Sequence, residues 1–520
     1  MKNAKRSYSI IIWVMLISIL LFQYVININL YKKPPSDRWS KEVHVGKGEI
    51  KNNPVLIKDD DKIIVGYQNK DQLCLVVTDR VGKKLDEKSY DVNEDFIMDT
   101  TLVKTKDGYL FNFRSTENSV GYIGTLVLDK DFNKIDDRKI TNVNAMCQLE
   151  DNLLLISYND RLELINTETS YKTSINTKKV NMISAVKNKD GYFISLLQDE
   201  RDFRAVYIKD NKFQEIRDII TIERRDNLTY SNLACSQDDK YGYILVEQRY
   251  KGEFMGTRVI QFDLNGDEAI LKELKVNDNK NVYDNVGVYS EEGARFLATT
   301  ERVFGKKDIQ ESIVDYVIKD GEVKFFDYAT RLRNLCIYPS ISQDTMAFIS
   351  FSGQNQYNVN LASMNDEFKE VNNVPRSSEY VMAFTAMLQG SLYALAYVFV
   401  YGLRWIIPSL LLVGIISFFD YSISTSKRLK LFIGSGIITT IIKIMSIISV
   451  VYAQYYYAIP DVIASKFIGV IICIIISFFS YALAYEIYKK DLDNVMMISF
   501  SVGLLIDTAL TLLVFVPSMV

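Results

Sequence analysis

Long uncharged segments near both ends of the chain constrain its fold more than any other feature. Residues 7–31 are 25 consecutive positions without a charged side chain, and charge-poor segments recur after Tyr380. A helix rises ~1.5 Å per residue, so such a segment is long enough to cross the ~30 Å hydrocarbon core of a bilayer. The sequence therefore predicts a multi-pass cell-membrane protein surrounded by membrane lipids.

The first apolar segment, residues 1–31, is interpreted as a retained N-terminal membrane anchor. Lys2, Lys5 and Arg6 also fit the positive start of a secretory signal peptide. The apolar run is, however, longer than the central region of such peptides, and no small-residue cleavage site follows it. We expect residues 32–49 to be a linker, residues 50–372 a β-rich domain, and residues 380–520 a helical transmembrane domain.

Short runs of β-forming residues repeat through the middle of the chain at a spacing of roughly 40 to 55 residues, the period of four-stranded propeller blades. Two of these runs begin with an Asp-Gly pair, which suits a tight hairpin turn. The runs occupy residues 62–67, 107–113, 152–157, 190–195, 241–246, 293–298 and 345–350. Seven repeats predict a seven-bladed propeller; a β-sandwich or two smaller β domains are the alternatives.

The repeats resemble β-propellers at the level of fold only. The Gly-His and Trp-Asp pairs that mark WD40 repeats are missing, and all three tryptophans (Trp13, Trp39 and Trp405) lie outside the repeats. The resemblance therefore implies a divergent, WD40-like propeller and no particular family.

Charge and residue usage exclude several classes of function. Residues 32–380 carry 50 Lys and Arg against 58 Asp and Glu, a net charge of −8. This balance argues against general nucleic-acid binding, which requires a basic surface. The single histidine, His44, falls in the predicted linker, so a catalytic triad or a His-based zinc site is not expected.

The five cysteines show no C-x-x-C spacing, and we expect them to be small buried residues. Cys147, Cys235 and Cys336 are assigned to the first strands of blades three, five and seven, too far apart for disulfides. No metal site, no cofactor and no catalytic residue is predicted, and the sequence favours a non-enzymatic function.

The C-terminal region holds four or five apolar spans, so the number of crossings is five or six. If every segment crosses once from a cytoplasmic N-terminus, the basic clusters at residues 427–430 and 489–490 lie outside, against the positive-inside rule. A cytoplasmic β domain would resolve the conflict. A single crossing by residues 380–424 would also do so, giving five crossings. We favour an extracytoplasmic β domain because the first segment is typical of a signal anchor.

Two charged residues, Lys443 and Asp507, fall inside predicted spans. They are the 13th and 14th residues of helices that one intervening span separates, so the helices run parallel and the two charges share one depth. Charges in such helices are costly and are usually paired or functional. Three interpretations stay open: an ion or proton relay, a structural ion pair, or no contact at all.

A second candidate site lies on the β domain, where cations precede the first strand of the later blades. In a closed propeller these segments meet on one face, which predicts a site for an anionic envelope ligand. The alternative is a set of solvated loop charges neutralised by neighbouring acids. The cations are Lys178, Lys179, Arg224, Arg225, Lys280, Arg331 and Arg333.

The leading functional hypothesis is a binding, sensing or scaffold protein with an extracytoplasmic propeller. It would bind a membrane-protein partner, as a subunit of an envelope transport or assembly complex. The first alternative is a transporter-like protein that uses the Lys443–Asp507 pair. The second is a carboxylate-based polysaccharide hydrolase, which needs only two acids but has no identifying motif.

Overall fold

The structure is a computed structural model that describes residues 2–92, 94, 96–223, 225–266, 268–304, 308–418, 424–455, 459–490 and 496–518. The chain forms two compact units. One unit is a β domain (Pro34–Arg302 with Ile309–Val374), and the other is a helical bundle (Met1–Lys33, Val303–Asp308 and Pro375–Val520).

The described part of the β domain contains seven antiparallel sheets, each built mainly from four consecutive strands. The sheets are called blades 1 to 7 in the order of their first strands. Blade 1 contains β2 (Val55–Asp59), β3 (Lys62–Asn69), β4 (Gln72–Asp79) and β5 (Lys84–Asp91). Blade 2 contains β6 (Asp99–Lys104), β7 (Gly108–Glu117), β8 (Val120–Asp129) and β9 (Lys134–Thr141). Blade 3 contains β10 (Val143–Glu150), β11 (Leu153–Tyr158), β12 (Arg161–Asn166) and β13 (Lys172–Asn176).

The remaining blades follow the same order, with two irregularities. Blade 4 contains β14 (Val180–Asn188), β15 (Gly191–Gln198) and β16 (Asp202–Lys209), and β16 pairs with both β17 (Lys212–Phe213) and β18 (Arg217–Thr221). Blade 5 contains β19 (Leu228–Gln237), β20 (Tyr241–Tyr250), β21 (Glu253–Asp263) and β22 (Ala269–Glu273). Blade 6 contains β23 (Val282–Val288), β24 (Ala294–Phe304), β25 (Asp308–Lys319) and β26 (Glu322–Tyr328). Blade 7 contains β27 (Cys336–Ser342), β28 (Thr345–Gly353), β29 (Gln356–Ser363) and, from the start of the domain, β1 (Val43–Gly48).

The blades form a closed ring. The first strand of each blade contacts the first strand of the next, and β27 contacts β2. The predicted seven-bladed propeller is therefore confirmed, and each of the seven sequence runs is the second strand of its blade. These strands are buried because neighbouring blades pack face to face, as between Leu102 and Phe111 of blade 2 and Ile64 of blade 1. An isolated blade would expose both faces, so the repeats stabilise one another.

The ring is closed by β1, which pairs with β29 in the register Val43↔Leu361. The stretch assigned to a linker, residues 32–49, thus contains a strand, and His44 lies in β1 opposite Asn360. Six residues with two glycines give too short a pattern to predict a strand, and its partner lies more than three hundred residues away. Trp39, just before β1, is fully buried in the core of blade 7.

The helices are α1 (Lys2–Tyr31), α2 (Asp366–Asn372), α3 (Ser377–Tyr397), α4 (Leu403–Phe418), α5 (Thr425–Gln454), α6 (Lys466–Lys490) and α7 (Met496–Phe515). A π-helical turn, Val398–Gly402, joins α3 to α4, and short 3₁₀ turns occupy Asn277–Asn279, Asp461–Ile463 and Val516–Ser518. Five segments in the described residues are long and apolar enough to cross a membrane: Ile10–Tyr31, Ser377–Phe418, Lys427–Gln454, Lys466–Lys490 and Met496–Phe515.

The two apolar stretches after residue 380 form one continuous helical segment, Ser377–Phe418. Gly390 packs against Pro517, and Gly402 packs against Thr508, so this segment runs antiparallel along α7. The absence of a side chain at both glycines permits this close approach, as in other tightly packed helix pairs. The arrangement favours five apolar segments over six.

The other helices of the bundle alternate in direction. Phe432 contacts Phe500, and Tyr452 contacts Phe515, so α5 is parallel to α7. The connecting helix α6 is antiparallel to both. Gln23 of α1 reaches the last turn of α7 while the preceding residues of α1 pack on the bundle core, so α1 is also parallel to α7. The starts of α1, α5 and α7 and the end of α6 therefore lie together, at what we call the basic end.

Candidate functional sites

The structure brings Lys443 and Asp507 together in the middle of the bundle. Lys443 Nζ lies 2.6 Å from Asp507 Oδ1, and both side chains are 0 % exposed. The ammonium also donates to the Cys473 carbonyl and to Thr511 Oγ1, each at 3.1 Å. Because an ammonium has three protons, Lys443 is fully satisfied and ties α5 to both α6 and α7.

The carboxylate of Asp507 is only half satisfied. Its Oδ1 accepts hydrogen bonds from Lys443 and from Ser477 Oγ, the latter at 2.9 Å. Its Oδ2 is buried and has no hydrogen-bond partner among the described residues. Leaving a buried acceptor without a donor costs roughly 1–3 kcal/mol, and more for a charged group. Asp507 Oδ2 can therefore accept a further hydrogen bond.

A group of buried hydroxyls extends from the ion pair toward the basic end. Ser435 and Thr439 precede Lys443 at steps of four residues, so the three share one face of α5. Ser480 and Tyr481 lie one turn after Ser477 on α6. All four hydroxyl groups are buried; those of Thr439 and Tyr481 interact with each other, and those of Ser435 and Ser480 have no hydrogen-bond partner among the described residues. We call Ser435, Thr439, Ser480 and Tyr481 the hydroxyl cluster.

Aromatic side chains pack against one another in the bundle between the hydroxyl cluster and the basic end. Phe432 stacks on Tyr488 at a centroid distance of 5.4 Å and meets Phe500 edge-on at 5.5 Å. Tyr485 packs against the other side of Phe432 at 5.9 Å. We call these four residues the aromatic plug. A layer of rings thus borders the polar groups of the bundle interior on the side of the basic end.

A large cavity of the β domain lies at the mouth of the central channel, where the inner strands end. Its volume is about 880 Å³. The charged residues that line it are Lys58, Asp59, Asp60, Lys104, Glu150, Asp151, Glu168 and Lys187. Acids outnumber lysines among these described residues, and Lys104 pairs with Asp59 and Lys187 with Glu150, both at 2.5 Å.

Asp151 is the most perturbed acid of this channel mouth. Burial, with a smaller contribution from the charges of Glu150 and Asp59, raises the pKa of Asp151 to about 6. A buried carboxylate that is expensive to ionise gains from a cationic or hydrogen-bond-donating ligand. The cavity is therefore suited to a polar ligand with cationic or donor groups.

The cations of the predicted anion-binding face lie at the opposite ends of the inner strands. Lys178, Lys179, Arg225 and Arg333 are exposed, Lys280 is half-buried, and Arg224 lies outside the described residues. Arg331 forms a two-point ion pair with Glu42, its Nε and Nη2 lying 3.0 and 2.9 Å from the carboxylate oxygens.

Acids accompany these cations. Arg225 lines a cavity of about 400 Å³ whose other described charged residues are Glu200, Glu223 and Asp226. Such a cavity gives an anion little net attraction. The anion-binding face stays a prediction, and the structure places a carboxylate beside two of its cations.

The sequence reasoning missed an acidic pair between blades 5 and 6. Asn232 Nδ2 donates to Glu247 Oε1 at 2.9 Å, and the backbone N–H of Asp284 donates to the same oxygen. Burial, followed by the charge of Glu247, raises the pKa of Asp284 to about 7. Burial also raises the pKa of Glu247.

Backbone bulges shape this acidic pair. Asn232, Asp284 and Tyr338 adopt left-handed conformations, with φ of 45°, 51° and 57°, at equivalent register shifts in β19, β23 and β27. Asn and Asp tolerate such φ values better than other side chains do. The available sequence signal was an Asn or Asp near the start of an otherwise apolar inner strand.

Metal and redox chemistry have no assembled site in the described residues. No group of three or more His, Cys, Asp or Glu side chains is arranged there to hold a metal ion. All five cysteines are free. Burial raises the pKa of Cys235 to about 11, so its thiol is largely protonated and unreactive at neutral pH.

No family model matches the sequence, and a search of curated proteins gives no significant match. Similar solved structures include BBS1N in complex with ARL6DN (10% identity, TM-score 0.40, 63% of this chain and 98% of that chain). They also include the β-propeller domain of the Trilobed protease from Pyrococcus furiosus (10%, 0.35, 62% and 99%). A third is the extracellular domain of a putative hybrid two-component system from B. thetaiotaomicron (15%, 0.37, 62% and 39%). At these TM-scores the alignments carry no information on function.

Proposed function

We propose that this chain is a multi-span membrane protein that holds its β-propeller outside the cytoplasm as a binding or sensing domain. The observation that carries the proposal is the distribution of charge over the bundle. The exposed Lys427 and Lys430, at the start of α5, lie at the same end as Lys489 and Lys490 of α6. The chain start, with Lys2, belongs to this end as well.

Five alternating crossings put all of these cations on one side of the membrane. The positive-inside rule assigns that side to the cytoplasm. The propeller is inserted in the chain between the end of α1 and the start of α3, and both of those helix ends lie at the opposite end of the bundle. This order supports an extracytoplasmic propeller with five crossings and removes the conflict that six crossings create.

The ligand proposed for the propeller is a polar molecule with cationic or hydrogen-bond-donating groups, bound at the channel mouth that Asp151 lines. The excess of acids there supports this choice over an anion. We further propose that the bundle associates with a membrane-protein partner in an envelope transport or assembly complex. Co-purification of a stoichiometric polytopic protein with the detergent-solubilised chain would support that association.

Cysteine labelling in whole cells tests the topology. A membrane-impermeant thiol reagent is expected to label Lys251→Cys, on an exposed propeller hairpin, without permeabilisation. Lys489→Cys, at the basic end, is expected to react only after permeabilisation. The wild-type chain, whose described cysteines are largely buried, serves as the background control. Labelling of Lys251→Cys only in permeabilised cells would put the propeller in the cytoplasm and overturn the proposal.

Thermal-shift measurements with a polyamine such as spermidine test the ligand class. We expect the polyamine to stabilise the wild-type propeller and to lose most of this effect in Asp151→Asn. Inorganic phosphate is the matched anionic probe and is expected to give no shift. Stabilisation by phosphate that Arg225→Ala abolishes would instead support the anion-binding face.

The Lys443–Asp507 contact favours a second candidate function, in which the bundle itself moves an ion or a proton. Four C-terminal spans are few for a transporter, and the sequence has no second half that repeats them, as many transporters do. Transport by the purified and reconstituted chain alone would support this candidate.

A further inference from the structure

The bundle interior contains several buried polar atoms grouped around Asp507. Asp507 Oδ2, Ser435 Oγ and Ser480 Oγ are buried and have no hydrogen-bond partner in the described residues, and the buried hydroxyls of Thr439 and Tyr481 interact only with each other there. Ser435, Thr439 and Ser480 are each at most 1 % exposed. Native proteins usually satisfy such groups with ordered water. Grouped in one region, they are suited to binding water.

The polar atoms grouped around Asp507 lie on the side of it that faces the basic end. Thr439 and Ser435 lie one and two turns from Lys443 toward the start of α5. Ser480 and Tyr481 lie one turn from Ser477 toward the end of α6. The start of α5 and the end of α6 both belong to the basic end, so these polar groups extend from Asp507 toward that end only as far as the aromatic plug.

Close packing keeps α6 and α7 together around these groups. A side chain at Gly503 of α7 would collide with Ala484 Cβ and would approach the Ser480 carbonyl to 3.2 Å. Gly436 of α5 leaves space beside the Tyr481 ring, where a Cβ would sit in ordinary contact at 3.5 Å. Small residues therefore bring the helices close while the hydroxyl side of Tyr481 faces the interior.

We propose that Asp507 exchanges a proton with the solution at the basic end through water molecules bound by the hydroxyl cluster. In the uptake step, a hydronium ion at the aromatic plug gives its proton to the water chain, and the last water protonates Asp507 Oδ2. One O–H bond forms on the carboxylate and one breaks on water, so the site gains a single positive charge. Release is the reverse.

The charged and titratable groups that face Asp507 are Lys443 of α5 and Cys473 and Tyr481 of α6. Protonation of Asp507 removes the partner charge of Lys443, whose ammonium keeps its bonds to Thr511 and the Cys473 carbonyl. The ion pair that joins α5 to α7 is thereby weakened. Proton uptake is in this way coupled to the packing of the helices.

The inference rests on the membrane placement proposed above, and it is tested on the full chain reconstituted in liposomes with known orientation. The pH at the basic end is lowered, and the carboxylate and carboxylic acid bands of Asp507 are followed by time-resolved infrared difference spectroscopy. Asp507→Asn, which lacks these bands, assigns them.

The expected result is protonation of Asp507 from the basic end. Thr439→Val and Ser480→Ala are each expected to slow this protonation on the order of tenfold, which corresponds to the loss of about one hydrogen bond in the path. Thr440→Val is the matched control, because Thr440 Oγ1 already donates to the Gly436 carbonyl at 2.8 Å. It is expected to leave the rate unchanged.

Three outcomes overturn the pathway: no response of the Asp507 bands, equal rates in Thr439→Val, Ser480→Ala and Thr440→Val, or faster protonation from the opposite end. If Thr439→Val does not fold, Ser480→Ala keeps the comparison intact. Reconstitution itself reports membrane insertion. A chain that inserts in the expected orientation but does not protonate Asp507 therefore overturns the pathway and leaves the membrane placement standing.

Discussion

Among the described residues, the propeller and the helical bundle each contain a buried ion pair, Arg295–Asp315 and Lys443–Asp507, and the two pairs are built differently. In the propeller, Arg295 donates to both oxygens of Asp315, at 2.8 and 2.6 Å, and Trp39 Nε1 donates a third bond at 3.0 Å. In the bundle, Lys443 contacts one oxygen of Asp507, and the other oxygen has no partner in the described residues.

The two pairs therefore differ in how fully their carboxylates are hydrogen-bonded. The Arg295–Asp315 pair spans β24 and β25 and, through Trp39, fixes the segment that precedes the closing strand β1. Both oxygens of Asp315 accept hydrogen bonds from protein groups. The Lys443–Asp507 pair leaves Asp507 Oδ2 without a donor, beside the hydroxyl cluster. A buried acceptor without a donor is costly unless something binds there. A saturated carboxylate is typical of a structural ion pair, whereas an oxygen without a donor can accept a hydrogen bond from water or a ligand.

The largest effect is expected from Asp315→Ala in the propeller. Removal of the carboxylate leaves Arg295 and Trp39 Nε1 buried without their acceptor, which should cost about 3–5 kcal/mol of unfolding free energy. Thermal and denaturant unfolding of the solubilised chain measures the loss. Asp137→Ala, in an exposed pair with Lys134, is the control and should show no measurable change. A small effect of Asp315→Ala would remove the distinction drawn above.

Single substitutions of the bundle pair are expected to be nearly as damaging, and the double substitution much less so. Lys443→Leu or Asp507→Leu leaves an uncompensated buried charge, at a cost of roughly 3 kcal/mol, whereas removal of both charges can be nearly neutral. Melting temperatures of the two single variants and the double variant form a double-mutant cycle. The charge swap Lys443→Asp with Asp507→Lys should retain the fold. Additive effects would show that the two residues do not couple.

The same cycle sharpens the comparison when it is applied to the propeller. Arg295→Leu with Asp315→Leu should recover less stability than the bundle double variant, because Trp39 Nε1 still lacks an acceptor. Recovery of stability without recovery of activity in the bundle double variant would favour the relay over a purely structural pair.

A smaller effect is expected at the contact between α1 and α7. Pro517 has no N–H, so the carbonyl of Leu513 loses its helical donor, and Gln23 Nε2 supplies donors to Leu513 and Val514 at 3.2 and 2.8 Å. Gln23→Leu should lower the stability of the bundle by about 1–3 kcal/mol and leave the unfolding of the propeller unchanged. Asn27→Leu, at a residue that bonds within its own helix, is the control. Equal effects of the two substitutions would contradict this role.

The smallest predicted effect concerns pH and the propeller pair Glu247–Asp284. Because the pKa of Asp284 is raised from 3.8 to about 7, the folded state holds the proton more tightly than the unfolded state. Stability should therefore fall as pH rises from about 4 to about 7 and stay lower above it. Asp284→Asn keeps a residue suited to the left-handed φ and should be more stable than wild type at pH 8, on the order of 1–2 kcal/mol.

Unfolding of the propeller at pH 4.5 and pH 8 checks this prediction. The advantage of Asp284→Asn should shrink at the lower pH, where the wild-type carboxyl is already neutral. An advantage of the same size at both pH values would assign the effect to backbone preference instead of ionisation.

The order of elements followed from local patterns. Runs of β-forming residues at regular intervals predicted seven blades, because each second strand is buried between neighbouring sheets and is apolar along most of its length. The helical segments were visible because each contains few charged residues over 20 or more positions. The strand β1 was missed since His44 and two glycines give it no pattern, and only pairing with β29 makes it a strand.

The sequence by itself determined where the chain is buried, since burial selects side-chain type at each position and that record is local. It also showed that Lys443 and Asp507 share one depth, because helical rise converts residue number into distance. Only the tertiary structure decided which oxygen of Asp507 is bound, that Arg331 meets Glu42, and that Glu247 lies beside Asp284. Such contacts depend on the rotation of one element against another, and rotation is set by packing among residues far apart in the chain.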